Sequence, residues 1–334
     1  MEAKRIVSLE AEIRRHQALY YNGEPEIEDA DFDSLWDELR SLDPGNSLFS
    51  EVGRDLADGW PKASHLIPMG SQDKAANPED FLSWCAKVAH SEYFVQYKLD
   101  GASLELQYRS GSLVRAVTRG DGLVGDDISP NARRMNGVIA SLSEPFTGGI
   151  RGEVLMTHEI QQRSYSDKAN CRNAANGLMK RKDGRGSEDL LVVVYDALAS
   201  GSSPFSDEME KITWLSRIGF HTVEARTFTK AEEVVAYRAR VMAERASLPF
   251  DIDGLVVKGR VIDLEDLRRA RPEKQIAFKF SLEEAISTLI DVEWSESGAT
   301  FTPIGIIEPV RLAGTTVQRA NLCNTNTIND LGLR

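Results

Sequence analysis

Apolar residues first recur at helical spacing. Ile6, Leu9, Ile13 and Tyr20 fall on one face of residues 3–21, which predicts an amphipathic helix. After the turn-rich Asn22-Gly23-Glu24-Pro25, Asp29 suits the N-cap of a second helix with Phe32, Leu35, Trp36, Leu39 and Leu42 on its buried side. Pro44-Gly45 ends it, giving a small helical hairpin with an acidic outer surface. From about residue 61 the pattern changes to short β-like runs at 93–97, 102–108, 113–118, 150–156, 190–197, 252–258, 274–280 and 289–294. Helical patterns interrupt at 78–90, 207–218 and 230–246. Such mixed runs predict an α+β fold on antiparallel sheets, not an alternating parallel one. After Asp291 the chain is strand-like and proline-punctuated, as in a small β-barrel, but about 40 residues are too few for five strands with loops. The predicted organisation is therefore a helical domain over 1–60, a sheet domain over 61–290 and the opening of a barrel over 291–334. Neither internal repeats nor a low-complexity tract is present.

Composition narrows the class. Of 334 residues, 41% are hydrophobic and 28% charged, and no apolar run is long enough to predict a membrane span. Met1-Glu2-Ala3-Lys4-Arg5 leads into an amphipathic segment and does not read as a signal peptide. Cys85, Cys171 and Cys323 give neither a disulfide framework nor a Cys-x-x-Cys metal motif, so a cytoplasmic setting without a zinc site is expected. The net charge of −12 argues at first against nucleic acid. Residues 1–60, however, hold 15 Asp/Glu against 6 Lys/Arg, which leaves 37 against 34 for the rest. The acidity is mostly an N-terminal property, and a basic groove for a phosphate backbone remains open to the remainder.

Lys98-Leu99-Asp100-Gly101 joins two β-like runs and places a lysine at a strand end beside a carboxylate. That arrangement suits an amine nucleophile once its environment frees the lone pair. A tight turn with a solvated lysine is the alternative for this segment taken singly. Arg119, in Thr118-Arg119-Gly120-Asp121-Gly122, offers a guanidinium fork beside glycines, suited to phosphate or to a surface turn. Glu153, in Arg151-Gly152-Glu153-Val154, suits ribose hydroxyls or a hydrated Mg²⁺, or a salt bridge with Arg151. Lys258 ends the apolar Leu255-Val256-Val257, and Lys279 stands between Phe278 and Phe280. Together with Lys98 and Arg119 they are expected to line one phosphate pocket. Asp29 and Asp33 share a helix face near Tyr20-Tyr21, which suits a cationic aromatic ring and sugar hydroxyls, although for this segment taken singly a solvated acidic face with core tyrosines is the favoured reading.

In order along the chain, these elements resemble the N-terminal half of the bacterial-type NAD-dependent DNA ligases. The matching segments are Tyr20-Tyr21, Asp29-Ala30-Asp31-Phe32-Asp33, His65 with Pro68-Met69-Gly70-Ser71, Lys98-Leu99-Asp100-Gly101 and Thr118-Arg119-Gly120-Asp121-Gly122. They continue through Arg151-Gly152-Glu153-Val154, Arg172-Asn173-Ala174-Ala175, Asp253-Gly254-Leu255-Val256-Val257-Lys258 and Ala277-Phe278-Lys279-Phe280, with Thr302-Pro303 to Asn324 like the opening of an OB-fold. The resemblance implies a helical NMN-binding domain, an antiparallel-sheet nucleotidyltransferase (ATP-grasp-like) domain and a partial OB-fold β-barrel. It implies that Lys98 takes AMP from NAD with release of NMN, for transfer to the 5′-phosphate of a nick in double-stranded DNA and phosphodiester formation, in DNA replication and repair of DNA damage.

Lys98, Asp100 and Lys279 are the implied catalytic residues. The implied contacts to NAD are Tyr20, Tyr21, Asp29, Phe32 and Asp33 in the hairpin, then Ser71, Gln72, Gln96, Leu99, Gly101, Arg119, Glu153, Arg172, Arg245, Lys258 and Lys279. Glu153 is the implied ligand of Mg²⁺, Lys180 lies near substrate phosphates, and neighbouring cations with desolvation are expected to lower the pKa of Lys98. The chain departs from the family at Gln96 (usually Glu, contacting adenine), Phe32 (usually Tyr), Gln72 (often Leu), Lys180 (often Arg) and Ser295-Glu296-Ser297-Gly298 (usually more basic). The family's zinc module, helix-hairpin-helix and BRCT regions have no counterpart, so a second polypeptide or further chain is expected to complete sealing. The competing readings are an ATP- or GTP-dependent lysine nucleotidyltransferase of the RNA-ligase or capping type, and a non-catalytic NAD- or DNA-binding module.

Overall fold

The structure, a computed structural model, describes residues 2–21, 27, 35–36, 38–39, 41–43, 46, 48, 59–66, 68–199, 204–269, 271–280, 285–297, 300–312, 315–322 and 332. It contains two compact units, Met1–Phe280 and Ser281–Arg334. The first begins with the helix Glu2–Tyr21. Its predicted apolar face is buried: Leu9 and Ile13 form a small core with Leu39 and Leu48, flanked by Ile6, Leu35, Trp36 and Leu42. Polar ties brace this core, with Arg5 Nε donating to Glu38 at 2.7 Å and Asn46 Nδ2 to Glu10 at 2.7 Å. Tyr20 and Tyr21 lie in the last turn of the helix. Their side chains, and Asp29, Phe32 and Asp33 entirely, lie outside the described residues.

The rest of this unit holds β1 (Lys62–Ser64), β2 (Asp73–Ala75), β3 (Tyr93–Leu99), β4 (Ala102–Arg109), β5 (Ser112–Thr118), β6 (Val124–Asp126), β7 (Gly148–Leu155), β8 (Leu191–Ala199), β9 (Ala225–Phe228), β10 (Ile252–Gly259) and β11 (Gln275–Lys279). They form a five-stranded sheet in the order β2-β11-β10-β3-β9, a four-stranded sheet in the order β5-β4-β7-β8, and the pair β1-β6. Every pairing is antiparallel except β2 with β11, a parallel exception to the expectation. The helices Pro78–Val88 and Ala231–Glu244 accompany the five-stranded sheet, where Phe81 stacks on Phe278 at 4.3 Å between ring centroids and 7° between planes. The helix Glu208–Arg217 packs on β8, and Cys171–Met179 on β7 and β4. Cys171–Met179 and the shorter His158–Ser164 follow side-chain caps, Asn170 and Thr157. Each is too brief for its apolar period to stand out in sequence.

The turn between β3 and β4 is where the chain leaves one sheet and enters the other. Gly101 makes that step possible, because a Cβ there would lie 2.3 Å from the Val154 carbonyl oxygen and 2.7 Å from Leu155 Cδ2. Gly101→Ala is therefore expected to destabilise this unit by about 1–3 kcal/mol, the usual cost of overpacking. Chemical denaturation followed by circular dichroism measures it, and an unchanged midpoint would refute the close-packing account.

The second unit is a three-stranded antiparallel meander of β12 (Leu289–Ser297), β13 (Thr300–Leu312) and β14 (Thr315–Asn321), in that order. Pro309 falls where the register of β13 on β14 breaks between Ile306 and Val310, so its missing N–H removes no bond from a regular ladder there.

Candidate active site

Residues directly opposite in an antiparallel ladder point to the same face, so register decides which side chains meet. Lys98 on β3 pairs with Gly254 on β10, which pairs with Lys279 on β11. Gln96, Val256 and Ala277 form the next row on that face, and Phe94, Lys258 and Gln275 the one beyond. The two lysines thus flank a glycine. Asp253 occupies the irregularity between Ile252 and Gly254, and such a bulge re-aims a side chain. Both of its carboxylate oxygens accept from Lys98 Nζ, each at 2.8 Å, and one lies 3.7 Å from Lys279 Nζ.

The four-stranded sheet supplies the facing groups. Glu153 on β7 lies opposite Ser103 on β4, whose hydroxyl donates to it at 3.0 Å. Asp100, in the crossing turn, accepts from Arg172 Nη1 at 2.5 Å. Gln96 Nε2 donates to the Tyr195 carbonyl at 3.0 Å, linking the two sheets. Arg119, just beyond β5, donates from Nε to the Met69 carbonyl at 3.2 Å and from Nη2 to Ser71 Oγ at 2.9 Å. His65 braces that corner, bridging Glu105 and the Arg119 carbonyl at 3.0 Å each.

Charge within this cluster differs from the expectation for Lys98. Burial by itself favours loss of the ammonium proton, but the carboxylates of Asp253, Asp100 and Glu153 outweigh it and raise the pKa above the ordinary lysine range. The sequence pattern supplied cations as neighbours; the fold brings carboxylates closest. The amine is therefore stored as an ammonium ion, with 26% of its side chain exposed. Glu153 moves the other way from a usual carboxylate: burial pushes it up to about 7 against the pull of Lys98, Ser103 and Arg119. Asp253 is opposed by burial but held below the carboxylate range by Lys98, Lys279 and Arg172.

The structure thus brings together Lys98, Asp100, Lys279, Glu153 and Arg172, with Gln96 one row away. Leu99 is buried opposite Ile252, Gly101 lines the crossing turn, and Ser71 anchors Arg119 with the half-buried Gln72 beside it. Arg245 follows the Ala231–Glu244 helix, its guanidinium 5.5 Å from the centre of the Phe280 ring. Burial pushes Lys180, at the end of the Cys171–Met179 helix, down to about 7.

Lys258 does not join the Lys98 row. It shares the face but lies four residues along the strand, about 13 Å away at strand rise. There it pairs with Glu208 at 2.6 Å and stands 5.4 Å from the centre of the Phe94 ring. Glu208 in turn meets Lys211 at 3.0 Å, and Lys211 bonds Asp196. The expected single phosphate pocket is therefore divided along the strand, because period two fixes the face and register fixes the distance. Residues with no role in the sequence reading also enter, among them Asp253, visible only as part of its motif, Ser103 beside Glu153, and Tyr195, which sits in the β7–β8 register break.

Residues 57–283 match the model for the NAD-dependent DNA ligase adenylation domain, and residues 1–47 that for the DNA ligase-like N-terminal NAD+-binding domain. A protein named DNA ligase from Treponema denticola is 56% identical over 99% of this chain and 54% of its own length. Those from Treponema pallidum and Sorangium cellulosum are 51% and 35% identical, over 99% and 98% of this chain and 42% and 53% of their own. The chain spans about half the length of the curated relatives it matches. With two thirds of its residues inside one family model, the chain belongs to the NAD-dependent DNA ligase family, as its N-terminal NAD+-binding and adenylation domains.

Proposed function

We propose that this chain adenylylates itself on Lys98 from NAD⁺ and carries the AMP toward the 5′-phosphate of a DNA nick. The observation that carries this reading is the Lys98 amine, clamped by both oxygens of Asp253 and flanked by Lys279 and Arg172. The Nζ lone pair attacks the adenylyl phosphorus while the P–O bond to the NMN phosphate breaks and its electrons leave with NMN. The ammonium proton must first pass to a base, and the carboxylates of Asp253 and Glu153 are the nearest candidates. Phosphoryl transfer depends on positioning and charge neutralisation, which Lys279, Arg172 and Arg119 supply from fixed frames.

The carboxylates of the buried Glu153 and of the half-buried Asp253 and Asp100 are hard oxygen donors that fit Mg²⁺, with Glu153 as its principal ligand. Bound there, the ion would add positive charge at the adenylyl phosphate. The face register supports a direction for the nucleotide, with the phosphate at the Lys98 row and the base toward Gln96 and Lys258. With its amide nitrogen on the Tyr195 carbonyl, Gln96 presents its oxygen to the adenine amino group.

The nicotinamide half would be held by the hairpin through Tyr20, Tyr21, Asp29, Phe32 and Asp33. The meander of the second unit is read as the opening strands of an OB-fold, so sealing nicked double-stranded DNA would require further polypeptide or a partner subunit. DNA replication and repair in the cytoplasm are the setting this reading implies. No described helix is long and apolar enough to cross a membrane.

Removing residues 1–47 tests the donor assignment. The truncated chain is expected to keep the cooperative unfolding of the sheet domain while forming no AMP adduct from NAD⁺. An adduct formed at the full rate would contradict the hairpin's role.

A further inference from the structure

Outside the catalytic cluster, three side chains with different donor atoms meet. His158 opens the His158–Ser164 helix, Cys171 opens the Cys171–Met179 helix, and Asp251 immediately precedes β10. One donor atom from each lies within 4.8 Å of the other two, and His158 Nε2 is 2.9 Å from Asp251 Oδ1. Tetrahedral zinc, with bonds of about 2.0–2.3 Å, places neighbouring donors about 3.3–3.7 Å apart. These side chains need only small rotations to reach that geometry.

A thiolate, an imidazole and a carboxylate together favour Zn²⁺ over Mg²⁺ or Ca²⁺, which prefer all-oxygen shells. Cys171 is buried, whereas the side chains of His158 and Asp251 are 35% and 42% exposed, which leaves a solvent-facing direction for a fourth ligand. The segments of His158 and Asp251 are also held in place independently of any metal. The His158 amide donates to the Pro249 carbonyl at 2.9 Å, and the Asp251 carbonyl accepts from the Asp100 amide at 3.1 Å.

We propose that His158, Cys171 and Asp251 form a Zn²⁺ site completed by one water, with the Cys171 proton released to solvent on binding. The ion would tie together the segments that carry Arg172 and Asp253, the second of which already holds the Asp100 amide, and so stiffen the frame around Lys98. The expectation of no zinc site weighed only cysteines close in sequence. Here the ligands stand 13 and 80 residues apart and meet through the fold. The proposal does not depend on the adenylation reading.

The test uses the full, tag-free chain stripped of metal and titrated with Co²⁺, then with Zn²⁺. One Co²⁺ per chain is expected, with a thiolate-to-cobalt charge-transfer band that Zn²⁺ displaces. Cys171→Ser removes the band and His158→Ala weakens binding at least tenfold, while Cys85→Ser and Cys323→Ser leave both unchanged. Zn²⁺ raises the unfolding midpoint of the wild-type chain but not of His158→Gln, whose cooperative unfolding shows that it remains folded. A band that survives in Cys171→Ser, or its absence from the folded wild-type chain, overturns the proposal.

Discussion

Lys98→Ala is expected to eliminate the AMP adduct entirely, and Lys98→Arg to eliminate it just as fully. The pair separates nucleophilicity from charge. In the alanine variant Asp253 keeps Lys279, 3.7 Å away, as a cationic partner, so the half-buried carboxylate is not left alone and the fold should persist. In the arginine variant a cation still faces Asp253, but a guanidinium stays protonated and offers no lone pair. If Lys98 served only to attract phosphate, arginine would retain much of the activity. Intact-mass analysis after incubation with NAD⁺ distinguishes the two, and an adduct in the arginine variant would sink the nucleophile assignment.

Asp253→Asn carries the second large effect. Asp253 holds the Lys98 ammonium with two bonds at 2.8 Å and heads the carboxylates that raise its pKa. At that distance and an effective dielectric of about 20, a charge pair is worth several kcal/mol. Loss of the carboxylate leaves burial to dominate, so the Lys98 pKa should fall by at least about one unit. The amine is reactive only above its pKa. Adduct formation by the wild-type chain should therefore keep rising with pH into the alkaline range, whereas the asparagine variant levels off at lower pH. Its plateau should drop on the order of 10²–10⁴-fold if Asp253 also takes the proton. Single-turnover adduct formation across pH reads both effects. A profile that moves to higher pH would contradict the electrostatic account.

Strand identity was legible because the runs at 93–97 and 252–258 are rich in β-branched or aromatic residues and the run at 102–108 alternates polar with apolar, and each lies within an observed strand. The same holds for the face of Leu9 and Ile13 in the first helix. The turn that holds Lys98, Asp100 and Gly101 was legible too, because its residues are neighbours in sequence between two strand-like runs. What sequence could not show is register. Lys258 shares the alternation of the face that carries Lys98, yet pairing with Phe94 sets it four residues from the Lys98 row. Asp253 reaches Lys98 through an irregularity between Ile252 and Gly254 that no periodicity announces. The sign of the Lys98 shift lies beyond sequence for the same reason, since Asp253, its leading cause, arrives through that irregularity and Glu153 from a different sheet.

The central claim, covalent adenylylation of Lys98 from NAD⁺, is tested most directly by intact mass of the wild-type chain incubated with NAD⁺ and Mg²⁺. The account predicts a gain of one adenylyl group per chain, one NMN released, and the modification mapped to the peptide bearing Lys98. No gain at any NAD⁺ concentration, a gain on another residue, or a gain from ATP but not from NAD⁺ would contradict it.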